Sequence, residues 1–201
     1  MIEKVLEIKS FRTRWLQAEQ YIRSGDLHEA YDIFESLAAD GYVEAYVELG
    51  SLLERGDAGI DRDLDKARQW YLKAVDEHND SYGYIGLARL ALNGFSEAGT
   101  TKDAIDYLNV AAKADNPVAL TILGALYHDG KHVTKNLNRA SELYLRAVEH
   151  GYALPAVYLS KLNFERHQFI AAARFRIKAI CMAYRLAKHD KSDPRLWNYF
   201  S

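Results

Sequence analysis

Apolar residues along this chain recur three and four apart, the period of a helix with one buried face, and the clusters they form recur in turn. Leu49-Gly50, Leu87-Ala88, Leu123-Gly124 and Leu159-Ser160 follow one another at intervals of 38, 36 and 36 residues. A second marker, the alanine at Ala30, Ala67, Ala104, Ala140 and Ala172, keeps intervals of 37, 37, 36 and 32. A period in this range means an array of two-helix units, because one such unit cannot bury its apolar face without a neighbour. The first helix of a unit reads Ala45, Leu49-Gly50, Leu53, Gly56, and again Ala119, Leu123-Gly124, Tyr127, Gly130, and Gly83, Leu87-Ala88, Ala91, Gly94. The closing glycine suits a helix end, where the backbone turns left-handed and a Cβ would be penalised.

The second helix carries Leu64, Ala67, Tyr71 and Ala74 on its packed stripe, with Asp65, Arg68, Gln69 and Lys73 mostly outside it. Tyr71, Tyr107, Tyr127 and Tyr144 fall in repeat-core slots, which makes them packing residues rather than stacking platforms. The expected architecture is all-α: a solenoid of about five antiparallel helix pairs in a single domain, 1–201, with approximate hairpins 10–41, 42–79, 80–115, 116–151 and 152–190. A capping tail follows at 191–201. There Ser192-Asp193-Pro194 is a helix-start signal, with Asp193 as N-cap and Pro194 at the first helical position. Leu196, Trp197, Tyr199 and Phe200 then either cover the final hairpin or form a partner-binding patch.

The chemistry-bearing residues do not assemble into a catalytic motif. His-Glu-x-x-His, a Gly-Lys-Ser/Thr phosphate loop and Gly-x-Ser-x-Gly are all missing from the sequence, and neither metal nor cofactor is expected. His128 and His132 stand four apart with Gly130 between them, so they read as loop histidines. Asp61, Asp63 and Asp65 mimic the start of a calcium loop, but Lys66 and Leu72 occupy the places of its glycine and distal glutamate; Asp63 reads as an N-cap. The lone Cys181 excludes an internal disulfide and is expected to be a small buried residue of the last long helix.

With 49% hydrophobic residues and three prolines, the composition is that of a folded chain. The interleaved acids and bases of residues 1–9 do not read as a secretory signal, and no apolar run is long enough to span a membrane, so the expected setting is cytoplasmic. The formal charge of −2 is unevenly spread. Arg174, Arg176, Lys178, Arg185, Lys188, Lys191 and Arg195, against Asp190 and Asp193, give the 174–195 segment a balance of +5 and leave −7 elsewhere. That helix is either a solvated outer face or a dock for an acidic partner, nucleic acid or an anionic membrane surface. Arg174, Lys178, Arg185 and Lys188 share one side of it, with Phe175, Ile177 and Ile180 packing elsewhere. A net acidic chain without a reading module argues against nucleic acid.

With its Ala…Leu-Gly…Tyr…Gly…Asp…Lys-Ala…Trp-Tyr…Ala pattern, the chain resembles the Sel1-like repeat, a subclass of the tetratricopeptide-repeat superfamily, best over 42–79 and 116–151. Residues 80–115 form a degenerate copy. Gly25-Asp26-Leu27-His28-Glu29-Ala30 and His167-Gln168-Phe169-Ile170-Ala171-Ala172 resemble plain tetratricopeptide turns. The resemblance implies a protein-binding scaffold or adaptor whose first helices line a concave face. Its variable slots, carried onto this chain, hold Trp15, Glu19 and Arg23; Glu44, Glu48 and Ser51; Tyr82, Ile85, Arg89 and Asn93; Thr121, Ala125 and His128; and Lys161 and Phe164. Glu44 and Glu48 against Arg89 and Lys161 imply a polarised groove for a protein or peptide. An enzyme with a pocket among His128, Asp129, Glu48 and Arg89, or an array that self-associates through its ends, are the other readings that stay open.

Overall fold

The computed structural model describes residues 2–56 and 59–189. Ten α-helices run through them: α1 Ile2–Ser24, α2 Leu27–Ala39, α3 Val43–Arg55, α4 Leu64–His78, α5 Ser81–Leu92, α6 Thr101–Lys113, α7 Pro117–Asp129, α8 Leu137–Glu149, α9 Ala153–Glu165 and α10 Phe169–His189. A short 3₁₀ turn, Ser96–Ala98, precedes α6, and no strand occurs among the described residues. The architecture is thus all-α and built of paired helices.

Helix ends follow from their capping chemistry. Asp63 accepts from the amide of Lys66 at 2.9 Å to open α4, and Asn136 accepts from Arg139 at 3.0 Å to open α8. Asp80 and Asn116 do the same for α5 and α7, where Pro117 occupies a position whose amide would have had no helical partner. At the other end of α7 the backbone turns left-handed at Gly130, φ 75°, which glycine adopts without a steric penalty.

The chain divides into two compact units, 1–107 and 108–201. In the first, α1 packs on α2, α2 on α3, α3 on α4 and α4 on α5. In the second, α7 packs on α8, α8 on α9 and α9 on α10. Both repeat markers lie in the cores: Leu49, Leu87, Leu123 and Leu159, and the alanines Ala30, Ala67, Ala104, Ala140 and Ala172, are all buried.

Helix α10 corrects two expectations. Its buried face is Ala172, Ala179 and Ala183, with Phe175, Met182 and Leu186 partly covered. Cys181 lies two residues past Ala179, about half a turn round the helix, and is exposed rather than buried. Ile177 and Ile180 are also more than half exposed instead of packed. Arg174, Arg176, Lys178, Arg185 and Lys188 are exposed, whereas Lys191, Arg195 and the tail aromatics Trp197, Tyr199 and Phe200 lie outside the described residues.

Candidate functional site

Each unit is organised around a tyrosine from the second helix of a hairpin. Tyr71 of α4 enters a notch between α3 and α5, where a Cβ on either Gly50 or Gly86 would lie 2.5 Å from its ring. Its hydroxyl donates to Glu54 Oε2 at 2.9 Å. Arg89 of α5 closes the triangle: Nε donates to Glu54 Oε1 at 2.7 Å, and Nη2 to Glu54 Oε2 at 2.6 Å and to the Tyr71 hydroxyl at 2.9 Å. The Glu54 side chain is only 10% exposed, and Arg89, at 44%, brings the charge that makes its burial tolerable. Burial pushes the Tyr71 phenol far up. Burial also works against the charged form of Arg89, but the bonds to Glu54 and Tyr71 outweigh it and the guanidinium is held protonated. Arg89, drawn from the first-helix slots, therefore belongs to an interior network with Tyr71, expected from the sequence only as a packing residue, and Glu54, which was not singled out. The signal left in the sequence is opposite charge at Glu54 and Arg89, four residues and one residue beyond successive Leu-small markers.

Tyr144 of α8 fills the same slot in the second unit. A Cβ on Gly124 would lie 2.5 Å from its ring, and on the other side it stacks on Tyr158 with centroids 5.2 Å apart. His128, which is buried in the last turn of α7 and not in a loop, bonds through Nε2 to Glu165 at 2.9 Å. The Tyr144 hydroxyl is buried with no hydrogen-bond partner among the described residues. Lys161, two residues beyond Leu159 as Arg89 is beyond Leu87, lies over the Tyr158 ring at 5.7 Å from its centroid.

Of the remaining first-helix positions, four come together on α1 and α3. Trp15 Nε1 donates to Glu19 at 3.0 Å, Arg23 bridges to the same carboxylate at 3.1 Å, and Glu48 lies in the field of Glu19. Burial raises the Glu48 carboxyl, the Arg55 charge opposes that rise, and Glu19 adds to it. Glu44 is exposed and Ser51 half-buried. On α5, Tyr82 is 44% exposed and Asn93, just past the helix, is exposed, but Ile85 is buried and joins the core. On α7, Thr121 is turned back on its own helix, donating to the Pro117 carbonyl at 2.6 Å, and Ala125 is half-buried. On α9, Phe164 is 63% exposed and meets Phe169 edge-on.

An open cleft of about 610 Å³ lies in the first unit between α2 and the segment leading into α4, lined by His28, Tyr31, Asp32, Glu35, Asp61 and Asp63 among others. Partial burial, then the neighbouring Glu35, pushes the Tyr31 phenol up to about 12. The Asp61-Asp63-Asp65 run borders this cleft, with Asp63 engaged as the α4 cap. No described helix is long and apolar enough to cross a membrane.

Known proteins place this geometry in a family. The Sel1 repeat profile matches residues 43–79 and 117–152, the segments that hold Tyr71 and Tyr144. An uncharacterized protein of Neisseria meningitidis serogroup B is 28% identical over 63% of this chain and 26% of its own length. An uncharacterized Sel1-like repeat-containing protein of Schizosaccharomyces pombe is 30% identical over 54% of this chain and 16% of its own. The chain thus spans about a quarter or less of these relatives' lengths. Among solved structures, a Sel1 repeat protein from Oxalobacter formigenes superposes with a TM-score of 0.66 at 20% identity, over 89% of this chain and 77% of that one, a likeness of fold. Two Sel1 repeats, each built round a buried tyrosine, thus lie in this chain, and its fold is that of solved Sel1 repeat proteins.

Proposed function

We propose that this chain is a non-catalytic protein-interaction module that holds a peptide or protein against the first helices of its hairpins. The observation that carries the reading is the contrast between slots. The repeat-core aromatics Tyr71 and Tyr144 are wholly buried, whereas Tyr82 and Phe164, on first helices but outside the core slots, stand 44% and 63% exposed. Exposed aromatics and exposed charges on the same set of first helices, here with Glu44 and Lys161, are the residue types that anchor partner segments. The open acidic cleft lacks the enclosed apolar lining of a small-molecule site, which favours binding over catalysis. A single cysteine suits a reducing, cytoplasmic setting.

The test is affinity capture from the native cell with the intact protein beside a Tyr82→Ser, Phe164→Ser, Lys161→Ala variant. Loss of a specific captured protein at unchanged helicity supports the reading. Identical captured sets overturn it. Arg89 is kept out of this variant because its removal would strand the Glu54 carboxylate and confound binding with folding.

A further inference from the structure

The outer face of α10 carries a row of exposed apolar side chains. Ile170, Ile177, Ile180 and Tyr184 are exposed by 75%, 61%, 51% and 70%. Their spacing of seven, three and four residues is that of the a and d positions of a heptad, the narrow stripe along which one helix receives another. The opposite face is occupied, since Ala172, Ala179 and Ala183 are buried in the second unit.

Charge selects the kind of helix. Phe169–His189 carries five cations, Arg174, Arg176, Lys178, Arg185 and Lys188, and no carboxylate. All five are exposed, and none is ion-paired among the described residues. Arg174 and Lys188 sit immediately beside seam positions, where facing helices exchange charge contacts. A second copy of α10 would bring these cations against its own, which is repulsive. A membrane surface calls for a broad apolar sector, whereas this stripe is one side chain wide with cations on both flanks.

We propose that the exposed seam of α10 docks an amphipathic helix of another protein that carries carboxylates beside its own apolar stripe. The inference concerns a surface separate from the first helices and stands independently of the groove reading.

The probe is a 21-residue synthetic helix with leucines at heptad seam positions and glutamates beside them, titrated against the full chain by fluorescence anisotropy. It is compared with the same peptide carrying lysines for glutamates. The glutamate peptide is expected to bind at least about tenfold more tightly at low salt, with the gap narrowing as salt rises. Ile177→Asp with Ile180→Asp should weaken it by about tenfold or more, without moving the thermal midpoint, because both side chains are exposed. Arg174→Glu with Lys188→Glu should reverse the preference between the peptides. Equal binding of both peptides overturns the proposal. So does binding to phosphatidylserine vesicles with the same sensitivity to Ile177→Asp, which makes the face a membrane contact. Binding that emerges only in a Trp197→Asp, Phe200→Asp chain makes the protein's own tail the occupant. A dimer in sedimentation that Ile177→Asp dissolves makes the occupant a second copy.

Discussion

Tyr71 and Tyr144 fill the same slot in two units of one chain, and the units solve the burial of a phenol differently. In the first, glycines flank the ring on both sides, and the hydroxyl, the Glu54 carboxylate and the Arg89 guanidinium satisfy one another. In the second, Tyr158 replaces the second glycine, and His128 turns to Glu165. Lys161 lies over an aromatic face, leaving the Tyr144 hydroxyl unmet. The repeat fixes where the ring goes. The neighbouring slots decide whether its polar end contributes to stability or detracts from it.

Arg89→Met should break the contrast most severely. It leaves Glu54 as an uncompensated and nearly buried carboxylate, a loss of about 2–4 kcal/mol in urea unfolding, below the range for a fully enclosed pair because Arg89 is partly exposed. Lys161→Met, its counterpart, removes one exposed cation and should change stability by less than about 0.5 kcal/mol.

Gly50→Ala and Gly124→Ala should cost about 1–3 kcal/mol each, since the new Cβ would stand 2.5 Å from a fully buried ring that must shift. Similar losses in both units would show that the notch is common ground and the difference lies in the polar ends. A neutral Gly124→Ala would mean that the Tyr144 ring can move where Tyr71 cannot.

A smaller effect comes from Glu48, half-buried on α3, whose carboxyl holds its proton above the ordinary 4.5 in the folded chain because desolvation disfavours its charge. Ionisation then opposes folding. The penalty is complete above the folded-state pKa, fades as pH falls through it, and is absent below 4.5, where folded and unfolded chains are both protonated. Glu48→Gln should raise the thermal midpoint at pH 7, with the advantage vanishing in acid; a midpoint lowered at pH 7 would assign Glu48 a stabilising partner.

How much of this could be read from the sequence depends on what repeats. The Leu-small and alanine markers and the slots of Tyr71 and Tyr144 recur because every hairpin must bury the same face, so they, the Asp63 cap and the all-α class were legible, whereas Tyr107 and Tyr127, expected in core slots too, are only half-buried. Glu54 with Arg89, and His128 with Glu165, were not. Polar pairs between neighbouring hairpins leave no mark on hydrophobic periodicity, and each unit settles them separately. Cys181, Ile177 and Ile180 misled for a different reason. Apolar residues were expected to be packed, but α10 buries only the Ala172, Ala179, Ala183 side, and the spacing of Ile170, Ile177 and Tyr184 already marked a second stripe on the same helix.

The most direct test of the two-solution account is to measure Tyr71→Phe and Tyr144→Phe side by side, by urea unfolding with hydrogen exchange read separately over the two units. Tyr71→Phe should destabilise the first unit by about 1–2 kcal/mol, because Glu54 and Arg89 lose a partner. Tyr144→Phe should leave the second unit unchanged or more stable by up to about 1 kcal/mol, because it deletes a buried hydroxyl with no partner among the described residues. Equal losses at both positions would contradict the account.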